Sequence, residues 1–242
     1  YERNYMVANY SADAHSAQMK LLRQLLLSKT SKFAELAHAT GLTSDHANFH
    51  IKQLIDAGFV RHVAKSYGEY ELTVRGKEYA NRMDTDEHVV EKQPKLSVVL
   101  DILHPDGRHL QQERLKQPYY GYWGRPTGKI RWGETMLEAA ARELMEETGL
   151  RAELTVMGFY HKLDYDTDGK LLEDKYFCLV RGINPKGDLL PESDGQRNEW
   201  LTDAEFEAKE HRFGNLEDVQ DYIDSGQMFV VEKEFTYPSG DY

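Results

Sequence analysis

Cysteine is almost absent from this chain of 242 residues: only Cys178 is present. No disulfide can therefore form within it, and a reducing cytoplasm is the simplest setting. Long apolar runs are missing too. No stretch of about 18 apolar residues occurs and the start carries no signal-like pattern, which argues against a membrane span and against secretion. A start at Tyr1 rather than Met points to a chain whose original beginning lies upstream. Nor is there a basic excess, since 41 Asp and Glu outnumber 30 Lys and Arg. What remains is the composition of a globular protein with a real core, 40% hydrophobic and 29% charged.

The acidic excess is unevenly placed. Residues 1–88 hold 11 basic and 11 acidic side chains, so the entire formal charge of −11 falls on residues 89–242. Between Asp84 and Pro94, acidic residues and a proline interrupt any apolar periodicity. We therefore expect two domains, residues 1–88 with a short linker and residues 89–242.

In the second, one stretch stands out: Gly128 to Leu150, GKIRWGETMLEAAARELMEETGL. Thr135 followed three residues later by Glu138 reads as a capping box, and Gly149 as a helix stop, so a helix is expected from about Met136 to Thr148. Leu137, Ala141 and Leu144 are spaced as its buried stripe. Glu143, Glu146 and Glu147, three and four residues apart, put three carboxylates on one flank. Like charges so close repel. Spacing alone leaves open two accounts, a site for Mg²⁺ or Mn²⁺, which favour oxygen ligands, and a solvated acidic helix.

Gly128, then Glu134 after five residues, then Arg142-Glu143-Leu144 after seven, Glu146-Glu147 after one and Gly149-Leu150 after one more resembles the complete signature of the Nudix hydrolases. The wider resemblance runs over residues 93–235, helped by PYYGYW just upstream. It implies an α/β/α sandwich with a mixed sheet and hydrolysis of a nucleoside diphosphate linked to another moiety, as in ADP-ribose-like molecules. On that resemblance Glu143, Glu146 and Glu147 are the expected metal ligands for Mg²⁺ or Mn²⁺, with Glu146 or Glu147 taking a proton from water. Glu134 and Arg142 are the expected salt bridge pinning loop to helix, and Gly149 is structural. The general base differs among such proteins, so Glu192, Asp194 and Glu199 are also considered.

Two positions depart from the usual pattern. Thr127 replaces the first glycine of a customary pair, and Arg131 stands where many members carry another glutamate. Gly128, Arg125, Arg131 and Tyr120 are the expected substrate contacts, Arg125 and Arg131 reading more readily as structural or solvated cations. Tyr119, Tyr120, Tyr122 and Trp123 offer flat faces for a base, or for a core. Cys178, in a strand-like run without a His/Asp partner arrangement, reads as a small buried apolar residue.

Residues 14–84 read as three short helices (Ser16 to Leu27, Phe33 to Thr40, Ser44 to Ala57), a hairpin about Lys65-Ser66-Tyr67-Gly68 and a closing helix. The order, with FAELAHATGLTSDHANFHIKQLIDAGFV and ELTVRGKEYA, resembles winged helix-turn-helix domains of the MarR and ArsR types. That likeness implies double-stranded DNA as a partner, with Ser44, His46, Asn48, Phe49, His50 and Lys52 facing the major groove and Arg61 and Lys65 meeting phosphates. The balanced charge of residues 1–88 gives no strong basic footprint, and protein docking stands beside DNA binding. A homodimer is the expected assembly. Two readings of the whole follow: a metal-dependent pyrophosphohydrolase with a regulatory or docking domain, or a DNA-binding regulator that senses a nucleotide-like metabolite.

Overall fold

The computed structural model describes residues 16–64, 66, 68–84, 89–90, 92–213, 217–238, 240 and 242. They fall into two compact units divided between Lys92 and Gln93.

The first unit runs α1 (Ser16–Leu26), β1 (Ser31–Lys32), α2 (Phe33–Thr40), α3 (Ser44–Asp56), β2 (Val60–His62), β3 (Glu69–Leu72) and α4 (Val74–Ala80). Gly41 ends α2 in the left-handed region (φ 69°), where a residue without Cβ is unstrained. Leu21, Leu22 and Leu25 meet Leu36, Ile51, Leu54 and Leu72 in one apolar core. Leu27, expected as the last residue of this helix, is exposed just beyond its end. The three strands pair in the order β1-β3-β2. A two-stranded ribbon of β4 (Met83–Asp84) and β5 (Val89–Val90) occupies the stretch expected to be a plain linker.

The second unit continues with β6 (Lys95–Ile102), β7 (His109–Arg114), β8 (Trp123–Gly124), β9 (Thr127–Lys129), α5 (Met136–Thr148), β10 (Arg151–Asp166), β11 (Leu171–Lys186), β12 (Glu192–Ser193), β13 (Gln196–Leu201), α6 (Asp203–Glu207), α7 (Glu217–Ser225) and β14 (Phe229–Tyr237). A five-stranded mixed sheet has the order β14-β10-β11-β6-β9, and a four-stranded one the order β12-β13-β7-β8. β6 explains the arrangement, because its apolar run serves both faces. Val98, Leu100 and Ile102 meet Ala139, Ala140 and Leu144 of α5 on one side. Val99 joins Tyr160, Leu179 and Ile223 of α7 on the other. The result is an α/β/α sandwich. Thr236 and Tyr237 are the last residues of β14, and Tyr237 is buried beside Tyr119.

Candidate active site

α5 begins and ends where its caps dictate. Thr135 Oγ1 accepts from the Glu138 amide, the Glu138 carboxylate accepts from the Thr135 amide at 2.8 Å, and Gly149 closes the helix at φ 73°. The buried stripe differs from the expected one. Leu137 and Ala141 are exposed, and the helix beds on the sheet through Ala139, Ala140, Leu144 and Thr148. Two adjacent alanines let the axis approach the strands closely, while Leu137 sits in the first turn.

That rotation sets the three carboxylates differently. Glu146 is about half exposed, with 49% of its side chain accessible, whereas Glu143 keeps only 12%. Glu147 is also half-buried, and burial pushes its carboxyl above the ordinary range, against the pull of the Gln112 and Gln196 amides. Gln196 Nε2 donates to Glu147 Oε1 at 3.0 Å and Gln112 Nε2 donates to Oε2 at 3.1 Å. Asn198 Nδ2 donates to the Glu147 carbonyl at 2.8 Å. These amides, on β7 and β13, were missed from the sequence, where nothing separates them from surface glutamines.

Arg142 ties loop and helix together. Its guanidinium donates to Glu134 at 2.6 and 2.8 Å, to Glu143 at 2.7 Å, to Glu146 at 3.2 Å and to the Lys129 carbonyl at 2.9 Å. Hydrogen bonds from Arg142 hold the Glu134 carboxyl down at about 2. Arg131 also reaches Glu146, at 3.2 Å.

Among the described residues, no three His, Cys, Asp or Glu side chains are gathered as a ready-made metal cluster. The donor set nonetheless suits a hard divalent cation, being three carboxylates on adjoining turns of one helix. The cradle beside it is shaped by Gly128: a Cβ there would fall 2.5 Å from Glu143 Oε1 and closer still to Cγ and Cδ. Glycine at 128 is what allows Glu143 to lie against β9.

β7 and β9 each face two ways, with side chains alternating. Gln112 and Gly128 turn toward α5; Gln111 and Thr127 line a cavity of about 600 Å³ on the side of the sheet away from it. The other walls include Tyr160, Phe177, Phe213, Lys162, Lys175 and Arg181. Gln111 Oε1 and Tyr119 OH, in residues 3% and 2% exposed, have no hydrogen-bond partner among the described residues. Tyr119 has a left-handed backbone, φ 63°, which a tyrosine keeps only where packing imposes it. At one end, buried Asp101 accepts from Arg181 Nε at 2.9 Å and pairs with Arg125 and His109. Burial lowers Arg125 to about 10. Arg125 is thus both structural and cavity-lining. Lys175, paired with Glu173, is lowered to about 8 by burial.

The other expected site residues are dispersed. Tyr122 packs with Tyr119 and Tyr237, and Trp123 with Leu201 and Phe206, leaving only Tyr120 of that aromatic set exposed. Glu192 pairs with Arg197 and Glu199 with Lys209, while the Asp194 carbonyl accepts from Lys116 at 3.5 Å. Cys178 is fully buried, its thiol pushed up to about 11. In the first unit Ser44, His46, Asn48, Phe49 and Lys52 are exposed on α3, but His50 is buried, because its position in the helix falls on the inward face with Ala47 and Ile51. Arg61 is paired with Glu71. Lys65 lies outside the described residues.

A family model described as NUDIX domain matches residues 93–221. The ADP-ribose pyrophosphatase of Methanocaldococcus jannaschii is 28% identical over 137 residues, covering 54% of this chain and 78% of that protein. Among solved structures, the NUDIX domain of Shewanella oneidensis NrtR complexed with ADP ribose aligns with a TM-score of 0.46 at 19% identity, covering 64% of this chain and 99% of the other. The MutT protein of Bacillus halodurans aligns with a TM-score of 0.46 at 21% identity, over 61% and 93%.

Proposed function

Because the chain belongs to the Nudix family of pyrophosphohydrolases, we propose that its second unit hydrolyses the pyrophosphate of a nucleoside diphosphate linked to another moiety, using Mg²⁺ or Mn²⁺. The observation that carries this reading is the face of α5, where Glu143 lies against Gly128 and beside Glu146 and Glu147. These three would hold the cation, which when bound neutralises phosphate charge and lowers the pKa of a water. Arg142 fixes the positions of Glu143 and Glu146. Glu147 is held by neutral amides rather than by arginine, and each of its oxygens keeps a lone pair beyond the one those amides occupy. It is therefore the carboxylate we assign to receive the proton of the attacking water. The nucleoside end enters the cavity, where Gln111 Oε1 and Tyr119 OH await a partner. Kinship with an ADP-ribose pyrophosphatase supports an ADP-ribose-like substrate.

The test is a screen of ADP-ribose, dinucleoside polyphosphates, nucleoside triphosphates and nucleotide sugars with Mg²⁺ or Mn²⁺. Turnover should vanish on chelation and in E146Q/E147Q, with nucleotide binding retained by that variant. Tight binding of one compound without product from any would replace this reading with that of a metabolite sensor.

For the first unit we infer a winged helix-turn-helix domain that binds double-stranded DNA. The order α1-β1-α2-α3-β2-β3 supports it, as do the exposed Ser44, His46, Asn48, Phe49 and Lys52 on α3. Gel shifts at stated salt concentrations test it; binding that ignores substitution of Asn48 and Lys52 would favour protein docking.

A further inference from the structure

Lysines from four neighbouring strands stand in one row across the larger sheet. Lys162 of β10 is directly opposite Lys233 of β14 and Lys175 of β11, and Lys175 is directly opposite Lys95 of β6. Residues paired in this way share a face of the sheet. Lys162 and Lys175 line the cavity, so the row lies on the cavity side. With strands about 4.8 Å apart it crosses roughly 15 Å of sheet. Like charges so placed destabilise a sheet unless anions stand among them.

The protein supplies too few. On the same face, the row to one side is uncharged, being Val231, Tyr160, Phe177 and Ser97. The row to the other side brings Asp164 and Glu173. Asp164 accepts from Lys162 at 2.5 Å, while Glu173 is shared, accepting from Lys95 at 2.9 Å and pairing with Lys175. Lys95, Lys162 and Lys175 thus divide two carboxylates. Asp166, further along, accepts instead from the amides of Asp168 and Lys170. Arg114 adds to the imbalance: it lines the same cavity, its charge repels that of Lys175, and it donates to the neutral carbonyls of Pro118 and Gln117 at 2.5 and 3.1 Å.

A separate observation points the same way. Tyr119, 2% exposed, lines this cavity, and its hydroxyl has no hydrogen-bond partner among the described residues. It packs against Tyr237, whose hydroxyl accepts from Lys162 at 2.9 Å. Burial, then the charge of Asp164, raise the phenol's pKa, so Tyr119 stays an O–H donor. A buried donor without an acceptor, beside surplus ammonium groups, calls for an anionic oxygen.

We propose that the lysine row is a second anion site, on the face of the sheet away from the α5 carboxylates, where Lys162, Lys175 and the Tyr119 hydroxyl bind a phosphate group. That phosphate is either free or carried by the molecule in the cavity. Lys175 turns from Glu173 toward it, leaving Glu173 to Lys95. Lysine suits such a group as a compact point charge.

Calorimetry on the full chain, in chelator and without divalent metal, tests this with inorganic phosphate, and with adenosine 3′,5′-bisphosphate against AMP. Saturable binding of inorganic phosphate identifies a free anion. No such binding, with the bisphosphate at least about tenfold tighter than AMP, identifies one carried by the ligand. In either case Lys175→Gln should weaken the phosphate-dependent binding at least about tenfold, since a charge-assisted hydrogen bond is lost. Y119F should weaken it several-fold, and K186Q, at an exposed lysine ending β11, should leave it unchanged. K95Q, at a half-exposed lysine, leaves Glu173 to Lys175 alone and should also weaken it, which keeps the test available if K175Q fails to fold. Binding of neither probe overturns the proposal, as does undiminished affinity in both K175Q and K95Q. E146Q/E147Q should bind phosphate as the wild type does; loss there would place the anion on α5 and overturn the proposal. Turnover is not read in any arm, so failure of the hydrolase reading leaves these outcomes as they stand.

Discussion

Gly128→Ala separates the site from the fold. Gly128 does not have a left-handed φ, so its backbone accepts alanine without strain. The added Cβ would lie 2.0 Å from Glu143 Cγ and Cδ and 2.5 Å from its Oε1, where nonbonded atoms normally stand roughly 3.5 Å apart. The side chain must therefore retreat by about 1.5 Å. The obstacle is one side chain from Cγ outward, with no backbone atom among the nearest contacts, so a change of rotamer can clear it and the fold loses little. Replacing a strand glycine even returns up to about 1 kcal/mol of chain entropy. Catalysis has no such tolerance, because misplacement by about 1 Å costs on the order of a hundredfold. We expect kcat/KM to fall about a hundredfold, with Tm within a few degrees of wild type and weaker Mn²⁺ binding by calorimetry. A folded variant retaining activity within about threefold would refute the assignment of Glu143. A collapse of Tm would instead refute the packing argument.

Three more expectations concern charge. Glu134→Gln removes the carboxylate that Arg142 holds at about 2. A depressed carboxyl contributes stability above its unfolded value of 4.5 and loses it as pH falls through the folded value. The Tm gap between wild type and E134Q should narrow as pH drops from 4.5 toward 2, and a gap that widens would contradict the pairing. His161 stacks on Tyr176 at 4.0 Å and bonds Glu232 and Asp174, both at 2.9 Å. Burial opposes its charge, but those carboxylates outweigh it and its pKa is raised. Its contribution is complete below 6.5 and fades as pH rises through the raised value, so the penalty of H161F in thermal melts should shrink on the alkaline side; a penalty independent of pH would leave only the stacking. Lys162, 6% exposed, donates to Asp164 at 2.5 Å and to Tyr237 OH at 2.9 Å. Lys162→Met strands a buried carboxylate and should cost about 3–5 kcal/mol in denaturant unfolding, with part recovered on adding D164N.

Local information settled a good deal of this protein. The ends of α5 follow from Thr135, Glu138 and Gly149, because caps are satisfied within one turn. The apolar residues along β6, Val98, Val99, Leu100 and Ile102, fall on both of its faces, so the local sequence already requires cover on each side. The helical repeat alone puts Arg142, Glu143, Glu146 and Glu147 on adjoining turns, though only their resemblance to a known signature, with Glu134, points to a site rather than a solvated acidic face. Other features depended on partners far along the chain. Helical spacing allowed either Leu137 and Ala141 or Ala140 and Thr148 to face inward, and only the bed of strands beneath α5 chose between them. Gln112 and Gln196 become ligands of Glu147 because β7 and β13 pair across more than eighty residues of sequence, a meeting no short window contains. The cavity was hidden for the same reason, since its walls come from β6 through α7 and alternate strand residues turn to opposite sides. Sequence by itself determined which residues form the acidic helix and its loop, because those interactions span one or two turns. Tertiary structure decided which carboxylates are partly covered, which aromatic rings go into the core and where a ligand has room, because burial belongs to the assembled layers.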